Sequence, residues 1–408
     1  MNTVITNVRV IGEHGILENG RVLMEDGVIR QVESCCREGG RIPEGASIVD
    51  GGGRYLAPGF IDIHLHGGGG YDFMDASQEA FQGIADYHCA HGITSMLATT
   101  LAGEEGETLG MLRAFADCAP RIHSCNFLGV HVEGPYFSFG QRGAQDPRYI
   151  TRPDREQTLR FLETGCVKRM SMAPELPGAM ELGTFLQERG VLVSAGHTEA
   201  DYDTVKTAAS AGFRLLTHLY SGMLGVHRKG ASRYGGAVEA GLLLDSLAVE
   251  LIADGCHLPP CLLQLVRRCK KPESIILVSD AMRGAGLADG SRTRLGSLEN
   301  GQEVLIEGGV AKLPDRTSFA GSIASGDRLV RTMRDLGQVP LYEAVAMMTA
   351  NPARLLGIDD RKGSIREGMD ADLVLLDEDI TIKAVWVSGK KVWTDERWEV
   401  NENEKRTG

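Results

Sequence analysis

The sequence predicts an α/β protein: a (β/α)8 TIM-like barrel with a small β-sandwich domain built from both chain termini. Three observations predict it. Eight short apolar runs recur between residues 58 and 359, each closing on a polar residue or glycine, with helical patterns in the gaps. Val/Ile-rich runs broken by turn residues occupy 1–57, and a similar stretch returns within 360–408. No G-x-G-x-x-G occurs, which weakens a dinucleotide-binding open sheet.

In chain order, runs at 8–11, 21–24 and 28–32 read as strands, punctuated by Asn19-Gly20 and Asp26-Gly27 turns. The barrel strands follow at 60–66, 94–100, 127–133, 169–175, 191–197, 214–220, 248–254 and 275–280. Runs apolar at consecutive positions suit strands covered on both faces, as in a parallel sheet. Eight strand–helix repeats favour a closed barrel over a doubly wound sheet. Helices are expected over 78–91 and 202–211, a β excursion over 292–320, and a helix pair over 341–356. Strands then resume within 371–393 around a Ser388-Gly389 turn. Chain ends often lie close together, so both ends can share one small domain of 1–57 with 360–408. The polar tail 401–408 is expected to fray.

Composition narrows the function classes. A net charge of −12 argues against a generic nucleic-acid binder. It leaves room for an anionic small substrate, since a local cationic loop can act inside an acidic protein. The 9 cysteines are odd in number and form no C-x-x-C pair, against a disulfide framework or structural zinc site. They are expected as small buried hydrophobes in a reducing cytoplasm. No apolar run reaches about 18 residues, so no membrane insertion is expected.

The chemistry gathers at the strand ends. His64, His66, Glu133, His197, His218 and Asp280 close or follow apolar runs, and the C-terminal strand ends of a barrel converge on one mouth. Imidazoles and carboxylates meeting there form a ligand set for zinc or another first-row divalent ion. One strand-end histidine is usually a hydrogen-bonded core residue; this many in register is a different signal. Glu133 would otherwise be an unpaired carboxylate in an apolar strand, a costly placement that metal ligation removes. His131 points to the same face and is read as supporting the ligands or touching substrate, against a structural role. Asp280 can take a proton from an activated water and return it to a leaving amine; the competing reading is a helix N-cap. His66-Gly-Gly-Gly resembles an esterase oxyanion loop, but no G-x-S-x-G elbow accompanies it. His131-x-Glu133 lacks the P-C-x-x-C of nucleic-acid deaminases.

Taken together, Pro58-Gly-Phe-Ile-Asp-Ile-His-Leu-His-Gly, His131-Val-Glu-Gly-Pro, Ala195-Gly-His-Thr, Thr217-His-Leu-Tyr, Ile252-Ala-Asp-Gly-Cys-His and Ser279-Asp-Ala-Met resemble the N-acetylglucosamine-6-phosphate deacetylases of the amidohydrolase superfamily. The match is collinear over nearly the whole chain. The resemblance implies that Glu133, His197 and His218 hold the metal, that His64-x-His66 serves a second ion, and that Asp280 is the general acid/base. It implies one or two divalent ions per subunit, zinc first and iron as the alternative. His257 would contact the sugar or scissile acetamide, and the Gly143-Ala144-Gln145 loop would close over the substrate. A homodimer is implied, with a neighbour's arginine on the substrate phosphate.

One region departs from the family pattern. Where the family reads H-L-Y-N-A-M and then H-R-E-P-G, this chain has Ser221-Gly222 and His227-Arg228-Lys229, with Arg233 after a short insertion. Ser221 can still donate one hydrogen bond, and Arg228, Lys229 and Arg233 suit a phosphate; a solvated basic loop is the alternative. The departure leaves open a galactosamine epimer, an unphosphorylated sugar or another N-acyl substrate. A catalytically silent homologue is disfavoured, because every ligand and the acid/base are present.

Overall fold

A computed structural model describes residues 2–34 and 43–398; the tail 401–408, Cys35 and Cys36 lie outside the described residues. Eight parallel strands line up in chain order: Phe60–Leu65, Ile93–Thr99, Asn126–Glu133, Val167–Met172, Leu192–Ala195, Phe213–Leu216, Ala248–Leu251 and Ile275–Leu277. Each overlaps its expected run. The first two are buried along their whole length, as continuous apolarity requires when helices cover the outside and side chains fill the inside.

The sheet closes across the gap between its first and eighth strands without a regular ladder. At one end, Ile61 N and Leu277 N donate to the carbonyls of Met348 and Met347 at 2.7 and 2.9 Å. At the mouth, Asp280 N donates to His64 O and His66 N to Ala281 O, both at 2.8 Å. Between these lies the buried Asp62 carboxylate, which accepts from Ser279 N at 3.2 Å; burial pushes it up to about 7. The seam thus aligns the first and eighth strand ends, which carry His64, His66 and Asp280.

A helix follows each strand. Gln78–Cys89 is capped by Ser77 and buries Phe81, Ile84, Ala85 and His88 along one face. The eighth unit is completed by helix Gly326–Asp335, absent from the expected elements although Leu329, Val330 and Met333 form its buried stripe. The expected β excursion is a three-stranded antiparallel sheet of Arg292–Leu295, Gln302–Ile306 and Ala311–Lys312. Among the described residues no helix is long and apolar enough to cross a membrane. Cys89, Cys118, Cys125 and Cys166 are buried, whereas Cys261 and Cys269 are exposed.

The two chain ends share one seven-stranded sheet, in which Leu373–Leu376 pairs with Ser47–Pro58. The sheet curls until its far turns meet: Ala371 N donates to Gly27 O, and Gly389 lies against Gly27. Ile5, Met24, Leu375 and Trp386 fill the enclosed core. Asp26-Gly27 and Ser388-Gly389 are turns with positive φ at both residues, as expected. Asn19-Gly20 is not a turn. It lies inside strand Gly15–Glu25, where Asn19 at φ +50 accompanies a register shift opposite Val8; the reversal falls at Glu13-His14.

His88 is a buried base whose titration can be read from stability. Its Nε2 donates to Gly67 O at 3.0 Å, and burial pushes the ring down to about 4. Below the ordinary value near 6.5 the unfolded chain takes up a proton that the folded chain refuses. Stability therefore falls as pH drops from about 6.5 to about 4, by up to about 3 kcal/mol from this residue. Melting of wild type and His88→Gln between pH 7 and 4 should show a shallower acid fall in the variant. Parallel curves would show that His88 carries none of the acid sensitivity.

Candidate metal centre

The barrel mouth brings His64, His66, Glu133, His197, His218 and Asp280 together, each buried. Glu133 Oε1 lies 3.4 Å from His64 Nε2, 3.4 Å from His197 Nε2 and 3.2 Å from His218 Nε2. Its Oε2 lies 3.4 Å from His66 Nε2. Asp280 Oδ1 stands 3.2 Å from His66 Nε2 and 3.6 Å from His64 Nε2. Two overlapping groups have the reach to hold an ion: Glu133 with His197 and His218, and Glu133 with His64 and His66.

The hydrogen bonds on the far sides of the rings show that these residues fit a cation. His197 Nδ1 donates to Gln141 O at 2.8 Å, and His218 Nδ1 to Ser221 O at 3.1 Å. In neutral rings both protons are therefore on Nδ1, which leaves two Nε2 lone pairs facing each other at 3.2 Å. Two lone pairs at that distance repel unless a positive centre sits beside them. His64 Nε2 likewise has no hydrogen-bond partner. Burial opposes ionisation of Glu133, yet His64, His197 and His218 hold it well below the usual carboxylate range. Burial alone would depress His64 and His66; the facing Glu133 and Asp280 carboxylates instead raise them to about 9 and about 10. The site attracts positive charge, whether proton or metal.

Its backbone is strained where three of these side chains sit. His197, His218 and Asp280 have φ of +48°, +31° and +47°. Such conformations cost about 1–3 kcal/mol each and persist only where the surroundings impose them, typically at functional sites. The strand ends just before these residues, so the chain must turn sharply to aim each side chain inward. Gly222 allows one such turn: at φ +56° a Cβ there would meet His197 Nδ1 at 2.9 Å. The His66-Gly-Gly-Gly run follows from packing, since a Cβ on Gly68 would lie 2.7 Å from His88 Nε2.

A cavity of about 220 Å³ opens over the centre. Ala144, Gln145, Ser221, Gly222, His257 and Asp280 line it, together with Leu101, Leu295 and Phe319. Leu295 and Phe319, which no sequence motif singles out, come from the β excursion, which forms one wall. His257 is oriented by Asp254, which accepts from its Nδ1 at 2.8 Å. Gln145 bridges inward: its Nε2 donates to Glu133 Oε2 at 2.8 Å while its Oε1 accepts from Ala102 N at 2.9 Å.

Two expectations are corrected. His131 does not line the cavity, which corrects the substrate-contact reading and leaves the supporting one: it lies fully buried beneath His64, with ring centroids 4.6 Å apart, and its Nε2 pairs with Ser171 Oγ at 2.6 Å. The reason is its place inside the strand, two residues below Glu133, where inward side chains pack the barrel core. Arg228 and Arg233 do not line the cavity. They sit opposite one another on an exposed hairpin of His227–Lys229 and Ser232–Tyr234, because the inserted residues let this loop pair with itself. Lys229 is engaged by Asp201 at 3.0 Å. Among the described residues, no lysine or arginine lines the cavity.

The profile of the Amidohydrolase family matches residues 55–392. The N-acetylglucosamine-6-phosphate deacetylase of Lysinibacillus sphaericus is 35% identical over 395 residues, covering 94% of this chain and 97% of that protein. The N-acetylgalactosamine-6-phosphate deacetylase of Escherichia coli O157:H7 is 32% identical over 393 residues, covering 96% and 99%. A solved mutant of the Mycobacterium smegmatis N-acetyl-D-glucosamine-6-phosphate deacetylase, in complex with N-acetyl-D-glucosamine-6-phosphate, superposes with a TM-score of 0.87. It is 30% identical, and the match covers 96% of this chain and 100% of that one.

Proposed function

The chain belongs to the amidohydrolase family, and from that premise we propose that it hydrolyses N-acetylglucosamine-6-phosphate to glucosamine-6-phosphate and acetate. The observation that carries the reading is the pair of opposed His197 and His218 Nε2 atoms beside Glu133, with the Asp280 carboxylate on the same cavity. Glu133, His197 and His218 would hold one divalent ion, and His64 and His66 with Glu133 a second. Zinc suits nitrogen and carboxylate ligands, with iron as the alternative. When bound, such an ion supplies Lewis acidity, polarising a carbonyl and bringing the pKa of a water from 15.7 to about 7.

The remaining steps belong to side chains. Asp280 accepts the water's proton as the oxygen–carbon bond forms, and returns it to the sugar nitrogen as the carbon–nitrogen bond breaks. His257, fixed by Asp254, presents Nε2 to the acetamide or the sugar. Ser221 and the Gly222 amide offer hydrogen bonds at the rim. The cavity is smaller than most drug-sized clefts, which favours a monosaccharide.

With no lysine or arginine among the described residues of the cavity wall, the phosphate's counter-charge would come from a second subunit, Arg228 or Arg233 reaching across a homodimer. Arginine pairs bidentately with phosphate, and losing such a bond costs about 1.5–3 kcal/mol. Acetate release should be compared on N-acetylglucosamine-6-phosphate, its unphosphorylated form and N-acetylgalactosamine-6-phosphate. The epimer is the second reading, favoured by the E. coli relative. The phosphorylated glucosamine sugar should dominate. Arg228→Ala or Arg233→Ala should raise its KM by about 10–100-fold while leaving the unphosphorylated sugar unaffected. Equal rates on the phosphorylated and free sugars would sink phosphate recognition and leave the hydrolytic centre standing.

A further inference from the structure

Beneath the metal centre the barrel interior holds an ion pair that none of the strand-end motifs includes. Arg169, on the fourth barrel strand, and Glu250, on the seventh, are fully buried and paired through Nη1 and Oε1. Arg169 also donates to Ile63 O at 3.1 Å, Thr217 Oγ1 at 3.1 Å and Ser194 Oγ at 3.2 Å. Glu250 Oε1 is thereby committed to the guanidinium. Its Oε2 faces the mouth, where it accepts from His218 N at 3.1 Å and meets His64 Nδ1 at 3.3 Å. An ionised carboxylate can only accept. In its neutral form, the one a metal can bind, His64 must therefore carry its proton on Nδ1, which turns the Nε2 lone pair toward Glu133.

We propose that Glu250, clamped by Arg169, is a positioning residue that fixes the tautomer of His64 so that Nε2 can ligate an ion together with His66 and Glu133. The inference rests on the metal reading of the site given above. Outer partners of metal-bound histidines are worth about 10–100-fold in metal affinity.

The chemistry of position 250 makes an unusual prediction. In Glu250→Gln, Arg169 still offers only donors, so the amide oxygen must turn to it. The amide NH2 then faces His64 Nδ1, which becomes an acceptor, and the ring proton moves to Nε2, where it blocks ligation. Replacing Arg169 as well, in Arg169→Met/Glu250→Gln, frees the amide to turn over and offer its oxygen to His64. The second substitution should therefore restore what the first removes. A merely structural role for the pair predicts no such rescue.

The test is zinc content by elemental analysis, and zinc affinity by chelator competition, on the full-length protein. Wild type should hold two ions per chain. Glu250→Gln should weaken one of them by about 10–100-fold, and the double variant should return to within about threefold of wild type. Unchanged affinity in Glu250→Gln, or a double variant as weak as the single one, overturns the proposal. Wild type holding a single zinc also overturns it while leaving the proposed function intact; wild type holding none sinks both. Should Glu250→Gln fail to fold, histidine-selective 15N NMR of zinc-loaded wild type reads His64 directly. A proton on His64 Nδ1 with the metal-shifted resonance on Nε2 supports the proposal, and the metal-shifted resonance on Nδ1 or a proton on Nε2 overturns it.

Discussion

Glu133→Ala should release the bound metal and lower kcat/KM by at least about 10³-fold, since metal catalysis supplies several kcal/mol and each 1.36 kcal/mol is tenfold. Glu133 is the carboxylate common to both candidate ligand groups among the described residues. Its Oε1 lies within 3.4 Å of His64, His197 and His218, and its Oε2 within 3.4 Å of His66. Without it, neutral imidazoles must hold a divalent cation with no carboxylate of their own group, and Gln145 Nε2 loses its acceptor. Metal content and acetate release should fall together. A Glu133→Ala protein that keeps its metal and works within tenfold of wild type would mean that the centre is elsewhere.

Asp280→Asn should lower kcat by about 10²–10⁴-fold, the usual worth of a general acid–base residue, with KM and metal content little changed. The substitution is well matched to its site. Asparagine tolerates the left-handed backbone that Asp280 adopts at φ +47°. The bonds from Asp280 N to His64 O and from Ser322 N to Asp280 O involve only the backbone and survive. What disappears is the ability to take and return a proton. Metal content measured alongside steady-state kinetics separates this from ligand loss: a metal-depleted Asp280→Asn would make Asp280 a ligand, and near-normal kcat would remove it from the proton path.

Much of this centre is legible in the sequence. His64, His66, Glu133, His197, His218 and Asp280 stand out because a polar residue closing a continuous apolar run is costly to bury unless it serves a site. The β excursion is legible as a segment, but not that Leu295 and Phe319 wall the cavity. Arg169 and Glu250 stand inside barrel strands, Val-Lys-Arg-Met-Ser-Met and Ala-Val-Glu-Leu, rather than at their ends. They escape a reading of strand ends, and a charge within a buried strand signals a partner without naming it. Arg228 and Arg233 are visible through their spacing, and spacing does not tell that their loop pairs with itself.

The order of the eight barrel strands, the union of the two chain ends and the choice of candidate ligand residues were legible in the sequence alone. Each is encoded in adjacent residues, through the periodicity of burial and the chemistry of single positions. Only the tertiary structure decided that Glu133 is shared, that His131 lies beneath His64, that Gln145 turns inward, and that Arg169 meets Glu250 across 81 residues of chain. Those facts depend on how the barrel's register and tilt bring distant strands to a common depth, a global closure condition that no local window of sequence contains.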